Sequence, residues 1–327
     1  MLFLSKFNYF GDCVKKEVKT KEQPVKKNNK KKSNVPIYIM AFLILLVGVG
    51  IFLYPTVSNY FAEKNQVAAI NTYDEALLEK SEEEIEEELA KAKEYNENLA
   101  GDPVHDPFVP GSGYTLPKNY EDVLNTQGNG MMGYIEIPKI AVKIPIYHTS
   151  SEEVLQKGIG HIESTALPIG GAGTHSVLTG HRGLPSAELF TRLDELVPGD
   201  MFYIHVLNET LAYKVIDINV VLPDELDNLV AEPGKDYVTL VTCTPYGVNT
   251  HRMLVKGERT EYDPDVEAQI KEDSKHSKLK AFLKKYKYYL IGIGIAFGIG
   301  LVLYIIAFIR RKKKKKEENE DEKKEQK

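Results

Sequence analysis

Two stretches of this 327-residue chain carry no charge at all, Ile37–Tyr54 and Tyr288–Ile309, and cysteine is nearly missing, with Cys13 and Cys243 the only two. The uncharged runs are 18 and 22 residues long, against the roughly 20 apolar residues that a helix needs to cross hydrocarbon. A helix buried in a soluble core is apolar along one stripe, whereas these runs are apolar all round. Composition thus excludes a wholly soluble protein. Also missing is a small-residue cleavage site after Tyr54, so the first run reads as a retained anchor and not as a removed signal peptide.

Charge is sorted by position. The net −5 divides into +7 over residues 1–34, −16 over residues 55–287 and +4 over residues 310–327. Lys26, Lys27 and Lys30–Lys32 precede the first run, and Arg310, Arg311 and Lys312–Lys316 follow the second. Basic flanks stay in the cytoplasm, so both termini are expected inside and the acidic middle outside. Cys13 and Cys243 then lie on opposite sides of the membrane and cannot form a disulfide. Phe10-Gly11-Asp12, which precedes Cys13, is no lipidation signal, and nothing gives that cysteine a role. Cys243, the only exported thiol, is either a buried small hydrophobe or a reactive group.

Phe61 to Leu99 contains neither Pro nor Gly, and Ala68, Ala69, Tyr73, Leu77 and Leu78 recur at helical spacing, which predicts a helical stalk. Its acidic run Glu82–Glu88 reads as a solvated face. Gly101 to Lys118 holds Pro103, Pro107, Pro110, Gly111, Gly113 and Pro117, so a long irregular loop follows. From Met132 onward the chain breaks into short runs rich in Val, Ile, Tyr and Thr. Strands are expected at Tyr134–Ile137, Val142–Tyr147, Ser176–Thr179, Met201–Val206, Leu211–Val221, Tyr237–Thr242 and Met253–Lys256, with helices at Ser151–Lys157 and Ala187–Leu196. Many short strands with few helices point to a barrel or sandwich over residues 132–259. No internal repeat and no carboxylate cluster of metal-site type is visible.

Cys243 ends one expected strand, and Thr244-Pro245-Tyr246-Gly247 must turn away from it. Arg252 begins the next strand, so antiparallel pairing of the two brings it back beside Cys243. His181 follows another strand, with Gly180 and Gly183 flanking the His181-Arg182 pair to permit close backbone approach. A thiolate can attack a carbonyl while an imidazole moves the proton of the leaving amine. A guanidinium, always charged, can stabilise the oxyanion. Spacing alone leaves His148, His161, His175, His205 and His251 in competition with His181. It also leaves open a buried Cys, a turn His and a surface Arg.

The stretch Gly133–Arg259 resembles a sortase catalytic domain, and within that family the class C, pilus-assembling group. The likeness rests on Met132-Gly133-Tyr134-Ile135-Glu136-Ile137-Pro138, on Thr179-Gly180-His181-Arg182-Gly183-Leu184-Pro185, and on Thr239-Leu240-Val241-Thr242-Cys243 followed by Arg252. The resemblance implies a mainly β fold, an eight-stranded sortase-type barrel with short helices. It implies Cys243 as nucleophile, His181 as general acid/base and Arg252 as the residue that holds the oxyanion and positions substrate. The family cleaves a Leu-Pro-x-Thr-Gly sorting motif between Thr and Gly through a thioester. In class C, a lysine of another pilin subunit then takes the acyl group. No cofactor, metal or nucleic-acid partner is implied. His105-Asp106-Pro107-Phe108-Val109-Pro110 resembles the class C lid, which places Asp106 against Arg252 and Phe108 over Cys243, with Pro107 stiffening the turn.

The expected order along the chain is a cytoplasmic tail (1–34), a transmembrane helix (35–54), a helical stalk (55–100) and a lid loop (101–118). The catalytic barrel (119–260), a linker (261–287), a second transmembrane helix (288–309) and a charged cytoplasmic tail (310–327) complete it. A wall-anchoring sortase is the alternative within the family, and the second span and Pro-rich loop argue for class C instead. A wall-anchored surface protein would need a sorting motif before its last span, but Leu167-Pro168-Ile169-Gly170 is mid-domain and lacks the Thr. A non-catalytic adhesin domain would need an inert Cys243.

Overall fold

The computed structural model describes residues 35–99, 119–225 and 229–272, together with scattered residues between 287 and 313. The chain divides into two compact units, Met1–Gly50 and Ile51–Lys327. In the first, the described residues are helical and those from Ile39 on are exposed. They open helix α1, which runs from Val35 to Leu78 with Pro55 inside it. The expected boundary between span and stalk is therefore not a break in the helix. Among the described residues, α1 is the one helix long and apolar enough to cross a membrane, over Ile39–Leu78. The second apolar run is described only in part, and the described residues there are helical and exposed.

Helix α2, Glu82–Glu97, starts at a capping box in which the Ser81 hydroxyl accepts from the Glu84 N–H and the Glu84 carboxylate accepts from the Ser81 N–H. This satisfies two of the donors that a helix start leaves open. The stalk reading needs correction here. Ile70, Tyr73 and Leu77 of α1 and Ile85, Ala92 and Tyr95 of α2 are buried in the same core as the strands. The Tyr73 hydroxyl donates to Met132 O (3.0 Å) and accepts from the Leu207 N–H (2.8 Å). Asn96 grips Leu167 through both its amide oxygen and its amide nitrogen. The acidic surface of α2 hid these contacts because only every third or fourth residue turns inward.

Eight strands close a barrel in the order β1-β2-β3-β4-β7-β8-β6-β5. They are β1 Met131–Ile137, β2 Val142–Tyr147, β3 Ile159–His161, β4 Thr174–Thr179, β5 Met201–Val206, β6 Glu209–Val221, β7 Asp236–Thr244 and β8 His251–Thr260. The β2–β3 and β4–β7 pairs are parallel and the rest antiparallel. Strand β3, three residues long, had no sequence signal. The helix expected at Ser151–Lys157 is the shorter α3, Glu152–Leu155. The helix expected at Ala187–Leu196 is replaced by turns and a 3-10 segment, Leu193–Glu195. Its apolar residues Ala187, Phe190, Leu193 and Leu196 are buried as the spacing suggested, but Leu189 has φ +37° and breaks the helical path. After β8, residues 264–272 are helical.

Candidate active site

Strands β4, β7, β8 and β6 lie side by side, and their register decides which side chains share a face. Val241 pairs with Leu254 and Cys243 with Arg252. Val177 lies beside Thr239 and Thr179 beside Val241. Because strand side chains alternate, Thr239, Val241 and Cys243 of β7, Arg252 and Leu254 of β8 and Val177 and Thr179 of β4 all occupy one face. His181 lies two residues beyond Thr179, past the last register pair of β4 and β7. The antiparallel return expected for Arg252 is present, and His181 follows the end of β4, the strand that runs parallel to β7.

Local chemistry fixes each of them. Cys243 is buried at the end of β7, with 7% of its surface exposed. Arg252, equally buried, donates from one Nη to the carbonyls of Asn249 and His251, both at 3.1 Å, which sets the plane of the guanidinium. Asn249 supplies its carbonyl from a left-handed conformation, φ +62°. His181 is partly exposed, with its Nε2 3.6 Å from a carboxylate oxygen of Glu152 at the start of α3. Gly180 permits the close approach anticipated for it, since a Cβ there would stand 2.6 Å from Ile159 Cδ1 and 2.9 Å from Phe190. Gly183 has φ +83°, a backbone conformation that favours glycine, and lies under the exposed Tyr246 ring.

Away from Cys243 the same face carries a small apolar cluster of Ile162, Val177, Leu229, Val241 and Leu254. A cleft of about 270 Å³ follows, lined by Leu229, Val230, Thr239 and Leu254 with Asp217 and Lys256 at its polar edge. Val230 is held there by His175, whose Nδ1 meets Val230 O (3.1 Å) while Nε2 meets the Thr239 hydroxyl (2.8 Å).

The competing histidines have structural partners. Burial pushes His161 down to about 3 and His175 and His205 down to about 4, so all three are neutral near pH 7. His161 lies between the Tyr120 hydroxyl and Ala166 O, both at 2.9 Å. His148 links to Gly130 O and Val123 O. His251 pairs across from Thr244, on the opposite face from Cys243. The predicted lid residues Asp106, Pro107 and Phe108, and Cys13, lie outside the described residues.

Sequence reasoning missed two features. Arg182, quoted in the motif but given no role, has an almost fully buried side chain and bridges Thr244 to Asp194. Glu136, His205 and Glu267 converge with ligand atoms within 4.8 Å of one another, although sequence showed no such cluster. There Lys271 Nζ lies 2.9 Å from Glu136 and 2.8 Å from Glu267, so a lysine already supplies the cation. That group fastens the helix at 264–272 to β1.

A family model described as the sortase domain matches residues 135–260. A crystal structure of Streptococcus pneumoniae Sortase C, described as bearing on catalysis and pilin substrate specificity, is 42% identical. It covers 60% of this chain and 97% of that chain, with a TM-score of 0.55. Sortase C-1 of Actinomyces oris is 48% identical over 55% of this chain and 99% of that one, with a TM-score of 0.52. A curated relative, Sortase A of Bacillus anthracis, is 26% identical over 222 residues, 67% of this chain and 92% of that protein.

Proposed function

The chain belongs to the sortase family, and from that premise we propose that it is a membrane-anchored class C transpeptidase. In this reading it cuts a Leu-Pro-x-Thr-Gly sorting motif between Thr and Gly and joins the acyl fragment to a pilin lysine. The observation that carries the reading is the pairing of Cys243 with Arg252, and His181 two residues past the last β4–β7 pair, Thr179 with Val241, supports it. The Cys243 thiolate attacks the threonine carbonyl, and Arg252 offers fixed N–H donors to the oxyanion that forms. His181 gives a proton to the glycine amine as the C–N bond breaks, leaving a thioester. The lysine amine then attacks that thioester, yields a proton to His181 and expels the thiolate, so an isopeptide bond replaces the peptide bond. The thioester keeps the energy of the broken bond, and the exchange runs outside the cell without ATP.

The groove supports an extended apolar motif. Thr239 is four residues from Cys243 along β7, roughly 13 Å at strand rise. In an extended substrate the Leu of the motif lies three residues, roughly 10 Å, from the scissile Thr, between the Val177–Val241–Leu254 patch and the cleft. Transfer to pilin is favoured by the higher identity to sortase C enzymes. Transfer to a peptidoglycan precursor by a wall-anchoring sortase is the alternative, and the curated relative's name, Sortase A, specifies no acceptor. The reading includes α1 as the first anchor, residues 288–309 as a second span and both termini inside. It also includes a lid in which Asp106 pairs with Arg252, Pro107 limits the backbone and Phe108 covers Cys243.

The test is to offer the full-length enzyme a sorting-motif peptide together with two acceptors, a pilin subunit and a peptidoglycan stem-peptide amine. A thioester adduct on Cys243 and a ladder of linked pilins are expected. Transfer only to the stem peptide supports wall anchoring, and undiminished turnover by Cys243→Ala overturns both. Asp106→Ala with Phe108→Ala is expected to speed alkylation of Cys243; an unchanged rate reduces that segment to a linker.

A further inference from the structure

We infer that Arg182 is a positioning residue for the reacting pair, acting through the Thr244 hydroxyl and oriented by Asp194; this rests on the reading of Cys243 and His181 as that pair. Arg182 directly follows His181, and Thr244 directly follows Cys243. The Arg182 side chain is 8% exposed, and its Nη1 donates to Thr244 Oγ1 at 2.9 Å while Nη2 donates to Asp194 Oδ2 at 2.5 Å. Thr244 is itself buried, 7% exposed. Alternation along the strands puts Thr244 on the face opposite the reacting groups. One guanidinium thus ties together, from behind, the two chain segments whose front faces carry the thiol and the imidazole.

A second tie lies one rung earlier on the same rear face, where the Thr242 hydroxyl donates to Gly180 O at 2.7 Å. Beyond Gly180 the β4–β7 backbone ladder stops. Past that point the β4–β7 register no longer sets the separation of His181 from Cys243, where small displacements matter for proton transfer. Arg182 closes that gap. Asp194 is well placed to orient it, because Leu193 beside it is fully buried and the Phe190 N–H donates to His181 O at 3.1 Å. The charge-assisted contact with Asp194 holds the guanidinium plane, and the fork geometry lets one side chain serve both partners. Lysine, with a single charged nitrogen, cannot span them.

The test uses the full-length enzyme, with peptide cleavage read as separate kcat and KM, and with Cys243 alkylation rate followed against pH. Thr244→Val, which keeps the shape and removes the acceptor, is expected to lower kcat about tenfold with KM within about twofold. It is also expected to shift the alkylation midpoint upward. Thr244→Ser restores the hydroxyl and is expected to recover most of the loss. Arg182→Lys and Arg182→Gln are expected to match or exceed the Thr244→Val defect. Arg182→Gln with Thr244→Val is expected to be no worse than Arg182→Gln alone, because the two act as one unit. Wild-type kcat and midpoint in Thr244→Val overturn the inference, as does a valine defect that serine fails to repair. If Cys243→Ala and His181→Ala are inactive while Thr244→Val is normal, only this inference falls. If Cys243→Ala itself turns over, the reading beneath it falls.

Discussion

Strand β7 has two faces, and they are built for different ends. Val238 and Leu240 point into the barrel, where with Leu178 and Val255 they join a core that also takes in Ile70 and Tyr73 of α1. Thr239, Val241 and Cys243 point the other way, where Val241 joins Ile162, Val177, Leu229 and Leu254 in a separate small cluster. The inner face is continuous and filled, so its residues are bound to stability. The outer face is shallow, open at the cleft and ends at the thiol, so its residues can be changed with less harm to the fold and more to the chemistry. The comparison teaches that a two-residue period along one strand divides folding from function.

The largest effects are expected at the thiol end of the outer face. His181→Ala and Arg252→Ala should each lower kcat/KM by about 10² or more, the range for a lost acid/base or oxyanion donor, with thermal midpoints close to wild type. Peptide-cleavage kinetics beside a melting curve check this. A large loss of stability with either variant breaks the division between faces.

Next comes a matched pair of leucines. Leu240→Ala on the inner face should cost about 2–5 kcal/mol of unfolding free energy while the folded fraction keeps its kcat. Leu229→Ala, in the outer cluster, should cost less stability and raise KM for the sorting-motif peptide severalfold. Equal stability losses with an unchanged KM would remove the cleft from the substrate path.

A smaller effect is expected from pH. His161, His175 and His205 are neutral in the fold because burial lowers them to about 3, 4 and 4, whereas the unfolded chain titrates at about 6.5. The unfolded state therefore binds more protons between those values, and stability is lost as pH falls below about 6.5. At pH 5 each histidine accounts for about 2 kcal/mol. Chemical unfolding at pH 7 and pH 5 measures the drop, and His175→Asn should reduce it. A drop unchanged in that variant would sever His175 from the effect. His175 also holds Val230 at the cleft of the outer face, so the same variant is expected to loosen the cleft.

Much of this was legible beforehand. The strands Val142–Tyr147 and Met201–Val206 match their predicted bounds, because alternation and bounding turn residues mark them clearly. Cys243 and Arg252 were foreseeable as neighbours because a short turn between adjacent strands leaves little choice of pairing. Strand β3 was not, since three residues carry no period. It survives because Gly160 lets the chain pass against Thr149 O, 2.5 Å from where a Cβ would stand. The Arg182–Asp194 contact was equally hidden, as eleven residues lie between the partners and no local pattern links them.

The smallest effect is expected at the histidine nearest to Arg252 in sequence. His251 adjoins Arg252, yet register sets it opposite Thr244, on the face away from Cys243. Its Nδ1 meets the Thr250 hydroxyl at 2.9 Å, a contact within the turn, and its carbonyl, not its ring, serves Arg252. Removing the ring leaves that carbonyl in place. His251→Ala should therefore change kcat/KM by less than about threefold, under about 0.7 kcal/mol of transition-state free energy, and leave the pH profile of Cys243 alkylation where it was. If His251→Ala proves as damaging as His181→Ala, or moves that profile, the assignment of the proton-transfer role to His181 is reversed. The separation of the two faces of β7 then fails at the point where it matters most, because a residue on the rear face would be handling the proton.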